Sequence, residues 1–211
     1  MPETYTTFVM NKMNTLEVRP FTSAAEYEGM VDYFLNADDE FLRGMGVARR
    51  LLPTRDGWLR DVLADHELPD PEKDRLYLGW FYQNQQIGHS SVNRIQFGND
   101  AFFHLHMWRP DLRKAGLGFL LCEQSISIYF DRLRLRTLWC EPYAENRAPN
   151  RTLVKLGFQF VKFYRTVPGT INFEQDVNLY RKDKAASDEP QGPSLVVGEI
   201  DSMTMSAPRP E

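Results

Sequence analysis

The chain has 211 residues, with 25 Lys+Arg against 29 Asp+Glu, 42% hydrophobic and 13% aromatic residues. The formal net charge of −4 argues against a dedicated nucleic-acid binder, which usually carries a domain-wide basic excess. No run approaches the ~20 apolar residues of a membrane span, and the apolar content suffices for one sizeable core.

The N-terminal MPETYTTFVMNKMN lacks the apolar core of a signal peptide, so a cytoplasmic location is expected. Residues 16–22 (LEVRPFT) alternate apolar and polar side chains and read as a strand. Ser23 and Glu26 then match a capping box, opening a helix to about Asn36. Residues 37–52, with two glycines and mixed charge, read as a loop or broken helix. Pro53 marks the start of a second helix, with Trp58, Leu59, Val62 and Leu63 at helical spacing, ending before LPDPEKD.

From Leu76 the period shortens. LYLGWFYQ, a turn at Asn84-Gln85 and IGHSSVNRI form a hairpin, and AFFHLHMW follows as a further strand. After Pro110, Leu117, Leu120, Leu121, Ile128 and Tyr129 recur at helical spacing as far as Leu133. TLWCE is a strand, 147–156 a short helix closed by Gly157, and FQFVKFYRT and NFEQDVNLY are the last two strands. From 182 the composition turns Pro-rich and aromatic-poor and is expected to be a disordered tail. Cys122 and Cys140 have no Cys or His at zinc-finger spacing and are expected to be reduced thiols.

The strongest chemical signal is Arg113-Lys114-Ala115-Gly116-Leu117-Gly118 between a strand and a helix. Glycines let the backbone approach a ligand, and the free amides at a helix start point at an anion, with a pyrophosphate as the natural guest. It is neither a Walker loop nor a dinucleotide fingerprint, since both spacings are missing. It is followed by TLWCE, Asn146 and a short helix ending Lys155-Leu156-Gly157-Phe158.

With these elements in this order, residues 16–181 resemble the GNAT N-acetyltransferase superfamily, in detail its Rim-type branch of ribosomal-protein acetyltransferases. The resemblance implies an α/β (α+β) single domain, a mixed sheet of about six to seven strands flanked by helices, with an N-terminal extension (1–15) before it and the tail (182–211) after. It implies acetyl-CoA as co-substrate, an amine acceptor and no metal, nucleic-acid or membrane partner; a homodimer stays open. The pantetheine arm would pair with His106, Met107 and Trp108. The pyrophosphate would sit on Lys114, Ala115, Gly116, Leu117 and Gly118 beside Arg113, and Asn146 would bond the pantetheine with Asn150 assisting.

Acetyl transfer needs a base for the amine proton. The resemblance offers Glu141, matching the proposed base of ribosomal-alanine acetyltransferases, and His104, at a catalytic position of the pineal serotonin enzyme. The family's usual acids are missing: Leu153 stands where many members have Tyr, and Pro149 where Rim-type enzymes often have Ser. Tyr143, Thr152 or water are the substitutes. Acceptor contacts are expected from 36–60 and the last hairpin, including Phe41, Arg43, Met45, Trp58 and Tyr164, with His89 facing either the site or the solvent. The alternatives are a siderophore- or aminoglycoside-type acyltransferase on the same fold and a non-catalytic acyl-CoA-binding module. The charge distribution favours two substrates: residues 1–108 carry 10 basic and 16 acidic groups, and residues 109–165 carry 11 and 5.

Overall fold

A computed structural model describes residues 6–9, 15–113 and 116–185. Its strands are β1 (Thr6–Val9), β2 (Thr15–Pro20), β3 (Arg75–Tyr82), β4 (Gln85–Gln96), β5 (Asp100–Met107), β6 (Thr137–Cys140), β7 (Gln159–Thr166) and β8 (Gln175–Asp183). Its α-helices are α1 (Ala24–Leu35), α2 (Asp39–Gly44), α3 (Arg55–His66), α4 (Leu117–Arg132) and α5 (Arg147–Lys155). The strands form one sheet in the order β1-β2-β3-β4-β5-β6-β8-β7, antiparallel except where β5 meets β6. This is the expected mixed α/β sheet with eight strands instead of six to seven. The addition is β1, inside the segment expected to be an extension, and it pairs Thr6–Val9 with Val18–Thr15.

Local chemistry explains most boundaries. Glu26 accepts the amides of Thr22 and Ser23 and the Arg19 guanidinium, fixing the entry to α1. α3 opens at Thr54, whose hydroxyl accepts the Gly57 amide, so Pro53 lies just outside the helix instead of opening it. The β3–β4 turn is Gln83-Asn84, one residue earlier than the composition suggested. Both residues have positive φ, as a two-residue hairpin that matches strand twist requires. α5 ends at Gly157 with φ +80, where the Gly157 amide bonds Val154 and the Phe158 amide bonds Leu153, a Schellman closure. β8 runs through Asp183, so the sheet continues past 181; the remainder of the expected tail, from 186, lies outside the described residues.

The two sheet faces bury separate cores. On one, Leu121, Ile126, Tyr129 and Phe130 of α4 and Leu153 of α5 pack on Leu78, Trp80, Phe103 and Leu138. Two buried polar bonds lock α4 to the sheet: Trp80 Nε1 donates to Ser125 Oγ at 2.9 Å, and the Ser90 and Tyr129 hydroxyls meet at 3.1 Å. On the other face Tyr27, Met30, Val31 and Phe34 of α1 and Val62 of α3 pack around Phe21 and Leu42. Among the described residues no helix is long and apolar enough to cross a membrane. Both cysteines are free and buried.

Candidate active site

The parallel pairing of β5 with β6 lasts for three residues, Asp100↔Thr137 to Phe102↔Trp139. Beyond it the strands part. β5 stays with β4 as far as Gly88↔Met107. The chain after Cys140 swings instead to β8, where the Ala144 amide bonds Asp176, the Asn178 amide bonds Pro142, and Tyr143 bridges Val177. The result is a wedge in the sheet whose apex is closed by the Cys140 thiol on the Phe103 carbonyl at 3.0 Å.

One wall of the wedge is the unpaired edge of β5. Because the Trp108 amide bonds Ile87 across β4, alternation turns the groups of His106 and Trp108 towards β4 and those of Leu105 and Met107 into the wedge. Of the three residues expected to meet a pantetheine arm, only Met107 therefore turns its backbone into the wedge, its carbonyl accepting Arg113 and its amide free of β4, and Leu105 joins it. The side chains of His106 and Trp108 turn away to α1. His106 stacks on His89 at 4.7 Å and meets Phe34 edge-on, while Trp108 stacks on Tyr33. His89 is buried and accepts the Trp108 indole N–H at Nδ1, 2.9 Å, so it faces this aromatic layer and not the solvent.

The wedge opens towards the N-terminus of α4. Gly116 caps the helix in the left-handed region at φ +79, a conformation side-chain-bearing residues adopt at a cost. An added Cβ there would meet no atom within 4 Å, so the space in front of the turn is open. The Leu117 and Gly118 amides, first in the helix, have no intrahelical acceptors. Arg113 donates to the Met107 carbonyl at 2.9 Å and lies 5.2 Å over Phe41, bracing the loop against the end of β5. Lys114 and Ala115 lie outside the described residues.

The opposite wall is the turn into α5. The Asn146 side chain makes no capping bond at the helix start. Asn150 is fully engaged by the protein: its Nδ2 donates to the Tyr143 and Asn146 carbonyls, and its Oδ1 accepts Asn178 Nδ2 and the Tyr180 hydroxyl. It clamps the Asn146 turn to β8, which leaves it nothing to offer a ligand directly.

At the apex stands a polar cluster. The Glu141 side chain is 8% exposed; its Oε1 accepts the Tyr164 hydroxyl and its Oε2 lies 3.5 Å from Arg94 Nη2. Arg94 stacks 3.7 Å over Phe102 and donates to the Pro168 carbonyl, so one guanidinium joins β4, β5, β6 and the β7–β8 hairpin. Burial, and then the hydrogen bond to Glu141, push the Tyr164 phenol up to about 12. His104 Nε2 donates to Asn93 Oδ1 at 3.1 Å, which leaves Nδ1 as acceptor. Burial and the Arg94 charge lower its pKa to about 4, keeping the ring neutral. The fold thus gathers Glu141, Tyr164, Arg94 and His104 around one opening. Arg94 and Asn93 were invisible to sequence reasoning, since an Arg and an Asn in a strand resemble ordinary solvent-facing positions.

Beside the mouth, a cavity of about 340 Å³ is lined by Asp32, Tyr33, Asp38, Phe41, Trp108 and Arg113, among others. Phe41 is the one expected acceptor residue from 36–60 that lines it. Met45 accepts the Tyr33 hydroxyl at sulfur, Trp58 packs on Phe34, and Arg43 is exposed on α2. Of the substitute acids, the Thr152 hydroxyl is spent on the Ala148 carbonyl of its own helix. Leu153 is fully buried in the core.

The model of the acetyltransferase (GNAT) domain matches residues 15–159. Among solved structures, a RimL ribosomal L7/L12 α-N-protein acetyltransferase in complex with coenzyme A superposes with a TM-score of 0.66 at 14% identity, covering 84% of this chain and 98% of that one. The ribosomal-protein-S5-alanine acetyltransferase from Vibrio fischeri gives 0.65 at 18% identity over 84% and 96%. The microcin C7 self-immunity acetyltransferase MccE, in complex with acetyl-CoA and AMP, gives 0.61 at 16% over 82% and 94%. At these identities the likeness is one of fold. No curated protein matches the sequence.

Proposed function

The chain belongs to the GNAT acetyltransferase family, and from that premise we propose that it transfers the acetyl group of acetyl-CoA to a primary amine, of a small molecule or a protein N-terminus, by direct attack in a ternary complex. The observation that carries this reading is the wedge itself: a β5 edge leading to the Gly116 turn and the α4 amides, with Glu141 at the apex. Leu105 and Met107 would pair with the amide groups of the pantetheine arm. The Gly116–Gly118 turn, with Lys114 and Ala115, would take the pyrophosphate next to Arg113. Asn146, its side chain uncommitted to the helix cap, would bond the arm, and Asn150 would hold that turn in place.

The neutral amine attacks the thioester carbonyl and gives one N–H proton to the Glu141 carboxylate, the C–S bond breaks, and the leaving thiolate takes its proton from Tyr143 or from water, Thr152 being bonded within its own helix. Glu141 fits the base role better than His104 on position: it stands where β5 and β6 part, whereas His104 commits Nε2 to Asn93. The setting is also favourable: proximity within the wedge supplies much of the rate. The same reading carries a cytoplasmic location, a catalytic domain over 16–181, and no nucleic-acid, membrane or metal partner.

The absence of both usual acids favours one second reading, a non-catalytic acyl-CoA-binding module. One measurement tests both readings and a second separates them. Saturating acetyl-CoA should raise the melting temperature under either, and no shift would overturn both. Thiol release from acetyl-CoA across a panel of amines should occur only with the enzyme.

A further inference from the structure

The pairing of β4 with β5 breaks register once, between Asn93 and Gln96. Arg94 sits at that bulge with φ +51, in the left-handed region that such a position ordinarily fills with glycine. A side-chain-bearing residue held there inside a strand points to a task for its side chain. The guanidinium is fixed at two places: its flat face covers the Phe102 ring, and Nη2 donates to the Pro168 carbonyl at 3.1 Å. The side chain is nevertheless 46% exposed, and among the described residues its Nε and Nη1 have no acceptor. Glu141 Oε2 stands 3.5 Å from Nη2 without a hydrogen bond between them, while Oε1 is taken by Tyr164. A second cation flanks the pair. Lys162 Nζ lies 4.1 Å over the Tyr164 ring and makes no ion pair among the described residues.

Resting on the acetyltransferase reading, we propose that the acceptor is a free α-amino acid, with its amine on Glu141 Oε2 and its carboxylate on the Nε and Nη1 side of Arg94. An α-amino acid carries its amine and carboxylate one carbon apart, and Glu141 and Arg94 present the complementary charges side by side. The planar guanidinium takes a carboxylate through two parallel N–H bonds, and its stack on Phe102 and its bond to Pro168 hold it ready to do so. Glu141, Arg94 and Lys162 together sum to a single positive charge, which one carboxylate neutralises. A peptide N-terminus would offer Arg94 a neutral carbonyl in place of that carboxylate, a weaker partner for a charged donor. Polyamines and aminoglycosides would bring further positive charge against Arg94 and Lys162, so the local field speaks against the aminoglycoside-type alternative. Arg94 is then a specificity residue in contact with the acceptor, whereas Tyr164 acts through Glu141.

The test measures thiol release by the full chain at saturating acetyl-CoA across the common α-amino acids, each beside its carboxamide and the amine lacking the carboxyl group, with spermidine as the polycation. For the best amino acid, kcat/KM should exceed that of its carboxamide by about 10–100-fold, the worth of a charge-assisted contact, and spermidine should be the poorest acceptor. The carboxamide has the less basic and more readily neutral amine, so a preference for the acid cannot come from intrinsic reactivity. Arg94→Gln should pull the ratio towards one, chiefly by raising KM for the acid, and Arg94→Lys should restore part of it. A loss of Glu141 positioning alone would slow acid and carboxamide alike and leave the ratio standing, which would overturn the proposal. If Arg94→Gln does not fold, the wild-type ratio decides by itself. Carboxamides or spermidine turned over as well as the acids would overturn the carboxylate assignment and leave amine acetylation standing. No thiol release with any amine would overturn both.

Discussion

The phenol of Tyr164 on β7 donates its hydrogen to Oε1 of Glu141 just past β6, tying the outer hairpin to the apex of the wedge. With its pKa pushed up to about 12, the phenol keeps that hydrogen throughout the range in which amines are assayed. It therefore fixes Oε1, while Oε2 lies 3.5 Å from Arg94 Nη2.

Replacing Glu141 by Gln should remove the base while keeping the shape of the site, lowering kcat by about 10²–10⁴-fold. Tyr164→Phe, which only loosens the carboxylate, should lower kcat by roughly tenfold with the KM for acetyl-CoA unchanged. Steady-state thiol release reads both. Full turnover in Glu141→Gln would remove this residue from the mechanism.

Gly116 separates strain from binding. Its left-handed φ makes Gly116→Ala cost about 1 kcal/mol of backbone strain, a fall of about 2–4 °C in Tm, although the new methyl meets open space. Gly116→Asp adds a carboxylate where an anion is to be held. Acetyl-CoA at a hundredfold excess over Kd should stabilise wild type by about 2.7 kcal/mol, and Gly116→Ala by nearly as much. Gly116→Asp should show almost no ligand shift by thermal scanning. Undiminished stabilisation in the Asp variant would place the pyrophosphate elsewhere.

What the sequence made legible depended on local signals. The Ser23–Glu26 box, the Gly157 closure and the R-x-x-G-x-G turn are written in consecutive residues, and each stands where local chemistry puts it. The meeting of Arg94 with Glu141 and Tyr164 is a product of register between strands that lie 23 to 70 residues apart, and no periodicity encodes it. His106 and Trp108 illustrate the same limit. The strand was legible, but which of its backbone groups face the wedge follows from the Trp108–Ile87 bond, so the outward pair is Leu105 and Met107. β1 was missed because TTFV is too short to declare a strand without its partner.

Asn150 is where positioning can be measured as stability. Its amide satisfies the carbonyls of Tyr143 and Asn146 and receives Asn178 and Tyr180. Asn150→Ala leaves several polar partners unpaired and should cost roughly 2–4 kcal/mol, a fall of about 4–16 °C in Tm. Because the Asn146 turn loses its clamp, the KM for acetyl-CoA should rise in the surviving folded fraction. An unchanged melting temperature would show that the clamp is dispensable.

The last prediction concerns acid. His89 and His106 lie beneath α1, packed among Tyr33, Phe34 and Trp108, and His104, on the same strand as His106, lies beside Arg94. Burial holds all three below the ordinary histidine value. His104 falls to about 4 and His106 to about 3, with the Arg94 charge adding to the effect on His104 and His104 itself to that on His106. The folded state therefore binds fewer protons than the unfolded chain, in which each ring titrates near 6.5. The sign follows: the stabilisation is complete above pH 6.5 and is lost as pH falls from there towards the folded values. Between pH 7 and 5.5 each neutral ring forfeits about 1 kcal/mol, so the three together should cost roughly 3 kcal/mol in urea denaturation. His104 donates to Asn93 and His89 accepts from Trp108, so protonation of His89 would also break the indole bond. A stability that stays flat from pH 7 to 5.5 would mean that these rings take up protons in the native protein as they do in the unfolded chain.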